Sequence, residues 1–177
     1  GGSNVAVGEN ALGNYNITDS SESFNTALGY RAGLSVSTGV ENVLVGGLAG
    51  DALTDADFNT AIGSKALDSD TQGSKTTAVG RNALKNQNFT TATDSLNVAV
   101  GYQAGLSLTT GTRNTLIGSD VADALTTGNQ NTIVGEGAGS ALTDADYNVV
   151  LGRAALPADT KGSRSTAIGY NTLASQN

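Results

Sequence analysis

The stretch Asn59-Thr60-Ala61-Ile62-Gly63 decides the fold, because versions of it recur along the whole chain. Ten such pentapeptides end in glycine, and seven of the nine steps between these glycines are 17 residues long, the other two being 21. The glycines are Gly8, Gly29, Gly46, Gly63, Gly80, Gly101, Gly118, Gly135, Gly152 and Gly169. A short fixed period of this kind predicts a solenoid in which each coil contains one repeat.

The five columns of the repeat describe a short strand between two turns. Column one is Asn in eight copies, column two is Val or Thr, column three is Ala or a larger aliphatic, column four is Val, Leu or Ile, and column five is Gly. β-branched residues favour a pleated backbone, and Asn and Gly favour turns. We therefore predict an all-β fold, a parallel β-solenoid of about ten coils of 17–21 residues. The structural repeat positions that we single out are Asn25, Gly29, Asn59, Ile62, Gly63, Asn97, Val100, Gly101, Asn131 and Gly135.

Columns three and four point to opposite sides of each strand, because successive side chains of a strand alternate. We predict that column four, for example Ile62 and Val100, faces the interior of the solenoid. Column three is also apolar in every copy, so the other side of the strand needs a cover as well. One thin solenoid does not supply it, and we therefore expect the chain to form a homotrimer or a larger parallel bundle. Column one is expected to form a ladder of stacked amides, as Asn does in cross-β stacks.

A second alternation follows each column-five glycine. Five coils have Leu four residues after it, whereas the other five have Gly or Ala there and an aliphatic residue three positions later. Leu67 represents the first type and Leu53 the second. Close packing favours a constant core volume, so we predict that the two leucines fill the same slot. The alternative is that the two types are separate turns.

Composition excludes several functional classes. The chain has no His or Cys, and its net charge is −7 with single, scattered basic residues. A nucleic-acid surface needs a basic stripe, and a membrane span needs about 20 consecutive apolar residues, which are absent here. Without His or Cys, and with Ser, Lys and Asp only at repeat positions, we expect neither an enzyme nor a cofactor.

Carboxylates give one candidate for metal binding. The sequence LTDAD occurs twice and supplies the pairs Asp55/Asp57 and Asp144/Asp146, and Asp68/Asp70 is a further pair. Alternating carboxylates in a turn are a possible Ca²⁺ arrangement. The competing interpretation is a solvated turn in which Asp bonds to the backbone, and this is the one that we expect.

The repeats NVAVG (4–8), NTAIG (59–63), TTAVG (76–80) and STAIG (165–169), each followed by Ala or Thr three residues after its glycine, resemble those of phage and viral tail-fibre proteins and of trimeric autotransporter adhesin heads. The resemblance covers residues 1–177 as a single repeat solenoid, which we take as a segment of a longer fibrous protein. It implies a structural fibre segment of a virion that contributes to host attachment, with a host-surface receptor or glycan as partner.

Two alternatives stay open. The first is the head of a bacterial surface adhesin, which places the chain on the cell surface or outside the cell. The second is an ice- or water-ordering solenoid with Thr in column two, although the Val at four of the ten positions and the apolar neighbours indicate a buried column.

Overall fold

The computed structural model describes residues 3–16 and 22–175, and over these residues the chain is all-β with no helix. The predicted parallel β-solenoid is confirmed. Ten three-residue strands form one parallel sheet in the order β1-β2-β3-β4-β6-β8-β9-β10-β11-β12, which corresponds to nine turns from first to last. Its strands are β1 (Val5–Val7), β2 (Thr26–Leu28), β3 (Val43–Val45), β4 (Thr60–Ile62), β6 (Thr77–Val79), β8 (Val98–Val100), β9 (Thr115–Ile117), β10 (Thr132–Val134), β11 (Val149–Leu151) and β12 (Thr166–Ile168).

The register follows the repeat columns without a shift. Thr60 pairs with Thr77 and Ile62 with Val79, so each residue stacks on its counterpart one coil away. A second, two-stranded sheet joins β5 (Gly73–Ser74) to β7 (Thr93–Asp94) beside the second long coil. At about 4.8 Å per coil, nine turns give a rod on the order of 43 Å long.

The prediction that column four faces the interior is wrong. The middle residue of each strand, column three, is the buried one: Ala61 is fully buried, whereas its neighbour Ile62 is 39% exposed. Val100 likewise faces outward and is half-buried. The prediction that columns three and four point to opposite sides of the strand was correct. Because both columns are apolar, however, alternation alone did not show which of them faces inward. The narrow interior takes column three, which is Ala in most coils and so leaves room for residues from the turns.

In several coils a large residue in column three accompanies a small one in the following turn. Leu44 and Ile133 are followed six residues later by Gly50 and Gly139, and Leu116 by Ala122, whereas Val150 is followed by Leu156. A Cβ at Gly139 would lie 3.0 Å from Leu142 Cδ1 and 3.1 Å from Ile133 Cδ1. The space beside Gly139 is therefore already filled, which supports the predicted shared slot and adds column three as a third contributor to it.

The column-five glycines bring neighbouring coils into direct backbone contact. At Gly63 φ is +130°, and a Cβ there would lie 2.5 Å from the carbonyl oxygen of Gly80 in the next coil. A side chain would meet backbone, which cannot move aside, and the positive φ disfavours any L-residue. Steric exclusion thus explains why this column contains only glycine.

Candidate association face

One flat surface of the rod is lined by the outward side chains of the large sheet. We define the outer face as the first and third residues of its ten strands. The third positions are Val7, Leu28, Val45, Ile62, Val79, Val100, Ile117, Val134, Leu151 and Ile168. The first positions are Val5, Thr26, Val43, Thr60, Thr77, Val98, Thr115, Thr132, Val149 and Thr166. The expectation that column two is buried is therefore wrong, since these threonines are half-buried or exposed.

Two rows of residues border this face. The Asn-side rim is the residue before column one, namely Ser3, Phe24, Glu41, Phe58, Lys75, Leu96, Arg113, Gln130, Tyr147 and Arg164. The Gly-side rim is the residue after column five, namely Glu9, Tyr30, Gly47, Ser64, Arg81, Tyr102, Ser119, Glu136, Arg153 and Tyr170. Guanidinium groups lie over tyrosine rings along both rims, for example Arg81 at 5.8 Å from the ring centre of Tyr102 and Arg164 at 5.3 Å from that of Tyr147.

The exposed hydrophobic side chains are concentrated on the outer face and its two rims. In the described part of the chain, every large hydrophobic side chain that is exposed, apart from Leu173, belongs to the outer face or its rims. Three-residue strands of about 10 Å stacked over about 43 Å give an outer face on the order of 430 Å², and the two rims, six residues apart, widen it to on the order of 860 Å². The largest apolar patch of a soluble monomer is ordinarily about 300–600 Å², and a stable interface buries about 800 Å² per partner. Only together with its rims, which also carry charged and polar residues, does this face reach the area of an interface.

The amide ladder predicted for column one is present and lies inside the rod. The side-chain oxygen of Asn114 accepts hydrogen bonds from the backbone N (3.0 Å) and the Nδ2 (3.0 Å) of Asn131. The Nδ2 of Asn114 donates to the carbonyl oxygen of Gly128 at 2.8 Å. Asn25, Asn59 and Asn97 belong to the same buried ladder. Its role is structural: it satisfies buried backbone groups at the turn before each strand.

A buried polar network replaces the ladder where column one is Thr76. Asp70 accepts hydrogen bonds from the backbone N of Phe89 at 2.9 Å and from Gln87 Nε2 at 2.6 Å. The Oε1 of Gln87 in turn accepts from Asn97 Nδ2 at 2.9 Å and so supplies the acceptor that an Asn at position 76 would have offered. Burial raises the pKa of Asp70, and the hydrogen bonds from Gln87, Phe89 and Gly73 act in the opposite direction. Asp70 is a member of the further pair Asp68/Asp70, and in the structure its carboxylate is part of this buried hydrogen-bond network.

The two residues of each LTDAD pair have different partners. Asp57 accepts a hydrogen bond from the backbone N of Val40 at 2.9 Å, and Asp146 accepts one from the backbone N of Asn129 at 2.6 Å, so both bond to the neighbouring coil, 17 residues earlier, and not to the backbone of their own turn. Asp55 and Asp144 are exposed and each accepts a bond from the preceding threonine hydroxyl. Within residues 3–16 and 22–175 no group of three or more carboxylate, His or Cys side chains comes together in a way that could hold a metal ion.

The two insertions of the 21-residue coils differ in how far they can be described. Residues 17–21, which include most of the insertion after Asn16, lie outside the described part. In the second insertion, Phe89 is buried while Asn88 is exposed and accepts a bond from Thr71 Oγ1 at 3.2 Å. Phe89 is therefore the buried side chain of this insertion, and its backbone N donates to the carboxylate of Asp70.

The described residues contain no helix that is long and apolar enough to cross a membrane. Comparison of the chain with protein-family models, with curated proteins and with solved structures found no match.

Proposed function

We propose that this chain is a non-enzymatic, structural segment of a viral or phage fibre, and that three copies associate in parallel through their outer faces. The observation that carries the proposal is the concentration of exposed apolar side chains on one side of the rod. Contact of apolar surface with water is unfavourable by roughly 25 cal/mol per Å². Covering the apolar part of the outer face with other copies therefore stabilises the assembly. The rod shape suits a spacer that extends a host-binding end away from a particle. A location on a virion or outside a cell is part of this proposal.

The resemblance of the repeats supports the fibre assignment over other uses of a solenoid. The head of a bacterial surface adhesin shares the same features, and it remains the alternative within this architecture. The two are distinguished by the rest of the polypeptide. A fibre chaperone domain in the same chain supports the viral assignment, whereas an outer-membrane anchor supports the adhesin.

Sedimentation of the purified chain tests the proposal directly. We expect a discrete trimer at micromolar concentration, and a monodisperse monomer contradicts the proposal. The double variant Ile62→Asp with Ile117→Asp places two charges on the outer face and should give a folded monomer. The control Thr110→Asp with Thr127→Asp adds the same charge at exposed positions away from the face and should stay trimeric.

A second candidate function is favoured by one observation. Six of the ten first positions of the outer face are threonine, and they lie in one column of the parallel sheet in which the other four residues are valine. An ordered row of hydroxyl and methyl groups is a surface that could organise water or bind ice. This function needs an uncovered face, so it requires the monomer. Thermal hysteresis that is retained in a monomeric sample and lost in Thr132→Tyr supports it over the fibre.

A further inference from the structure

Four buried polar side chains meet inside the rod where the amide ladder is interrupted. Asp70, Thr76, Gln87 and Ser95 are each no more than 1% exposed. Gln87 Nε2 donates to Asp70 Oδ2 at 2.6 Å and to Thr76 Oγ1 at 3.1 Å, and the Thr76 hydroxyl is also hydrogen-bonded to Ser95 Oγ. A carboxyl group and a hydroxyl group thus lie within hydrogen-bond distance of one amide nitrogen, away from water.

We propose that Thr76 and Gln87 form an ester cross-link, in which the threonine oxygen replaces the amide nitrogen of the glutamine. Thr76 Oγ1 is the nucleophile, Gln87 Cδ is the electrophile, and Asp70 is the acid–base group beside the departing nitrogen. The reaction happens once in each chain and leaves no free nucleophile, so it is compatible with a structural segment. It takes place within one chain and does not depend on how many copies associate.

The amide group of Gln87 is held in one orientation for this reaction. Its Oε1 accepts a hydrogen bond from Asn97 Nδ2 at 2.9 Å, and this donor stabilises the negative charge that develops on the oxygen when a nucleophile adds to Cδ. The same Nδ2 donates to the carbonyl oxygen of Gly111 at 2.7 Å, which fixes the orientation of Asn97. Gln87 therefore cannot exchange its oxygen and nitrogen without losing hydrogen bonds on both sides.

The atoms of the reaction balance without another reactant. A bond forms between Thr76 Oγ1 and Gln87 Cδ, the bond between Cδ and Nε2 breaks, and the nitrogen leaves as ammonia; nothing is oxidised or reduced. Asp70 gives a proton to Nε2 as this bond breaks, and the proton that Thr76 loses restores the acid. Burial raises the pKa of Asp70, which increases the fraction of neutral acid available for this step. Because the site is buried, water does not compete with the hydroxyl.

The sequence repeats this combination of residue types at a second place. Column one is Asn in eight coils and has a hydroxyl residue in the other two. In both of these coils an Asp precedes the hydroxyl residue by six positions and a Gln follows it by eleven. The second set is Asp159, Ser165 and Gln176, of which the last lies outside the described residues. A hydroxyl in column one therefore occurs only together with the other two groups that the ester reaction needs.

Mass spectrometry of the folded chain tests the cross-link. Trypsin cuts after Lys75, Arg81 and Lys85, so the denatured, cross-linked chain should yield residues 76–81 joined to residues 86–113, with the mass of one ammonia missing. Fragmentation should place the link between Thr76 and Gln87. Mild alkali should separate the two peptides and leave a glutamate in place of Gln87.

Variants test the role of each group. Thr76→Val removes the nucleophile and should give two separate peptides, whereas Thr77→Val, on the outer face, should link as the wild type does. Asp70→Asn should slow the linkage, followed as the linked fraction at fixed times after synthesis, by about a hundredfold or more. An unchanged rate in Asp70→Asn, or a link that persists in Thr76→Val, overturns the proposed reaction. Separate peptides from folded wild type after prolonged incubation also overturn it, and this result decides even if a variant fails to fold.

Discussion

The side-chain oxygen of Asn25 accepts two hydrogen bonds from Asn42, 17 residues later, one from its backbone N at 2.9 Å and one from its Nδ2 at 3.1 Å. One amide therefore fixes both the backbone and the side chain of its counterpart in the next coil. Because the bond repeats from coil to coil, it holds the register of the stack from inside, where water does not compete.

Removal of one asparagine from the amide ladder should lower the stability of the fold. Asn114→Ala deletes the acceptor for two donors of Asn131 and leaves the carbonyl oxygen of Gly128 without its side-chain partner. Buried unsatisfied groups cost about 1–3 kcal/mol each, so we expect the free energy of unfolding to fall by about 2–4 kcal/mol. Chemical denaturation measures this. Gln130→Ala, at an exposed neighbouring position, is the control and should change little.

The glycine column should tolerate no side chain. Gly63→Ala puts a methyl group against the carbonyl of Gly80 at a φ of +130°, and we expect a loss of more than about 3 kcal/mol or failure to fold. Gly47→Ala is the matched control, because a Cβ at Gly47 has no atom within 4 Å. Equal melting temperatures of the two variants would contradict the steric account.

Adjacent residues of β4 should respond oppositely to a charge. Ala61→Asp buries an unpaired carboxylate and should abolish the folded state. Ile62→Asp places the same group on the outer face, so its circular dichroism spectrum should stay native while its sedimentation coefficient falls. Loss of structure in Ile62→Asp at concentrations where the wild type is folded would mean that folding requires the assembly.

The shared core slot is best tested where no polar network complicates it. Gly139→Leu alone overpacks the space beside Leu142 and should cost about 1–3 kcal/mol, and Leu142→Ala alone should cost about 2–5 kcal/mol. Gly139 has a φ of +59°, close to that of Leu156 one coil later at +52°, so the backbone accepts Leu there. We expect the double variant to lose less than the sum, by about 0.5–3 kcal/mol. Gly139→Leu with the distant Leu108→Ala should be additive.

Asp70 should make stability depend on pH. Its pKa is raised in the folded chain by burial, so the folded state binds the proton more tightly than the unfolded state. Stability from this group is therefore present in acid and is lost as pH rises through the folded pKa. Between pH 7 and pH 4, wild type should gain stability relative to Asp70→Asn, measured by denaturation at both pH values. A constant difference would show that the carboxylate does not titrate in this range.

Sequence periodicity was sufficient to predict the coils, the parallel register and the amide ladder, because each depends on residue type at a fixed spacing. It was insufficient for the inner face, since Ala61 and Ile62 are both apolar and alternation alone does not say which points inward. In seven of the ten coils the residue in column three and the residue six positions later are inverse in size, as in Leu44 with Gly50, and this relation points to column three as the inner one. The sequence also did not show which residues adopt a left-handed backbone at the corners of the coils. Residue types as different as Phe58, Lys65 and Leu67 all have φ near +55° to +60°, so residue type does not mark these positions.

The in-register stacking of equivalent columns has a consequence for how such a rod changes length. Each coil bonds only to the coils before and after it, and equivalent columns meet at every step. Unequal recombination between two repeats would add or remove whole coils and leave every junction with the same glycine contact. Rod length would then vary in increments of about 4.8 Å without new packing having to evolve.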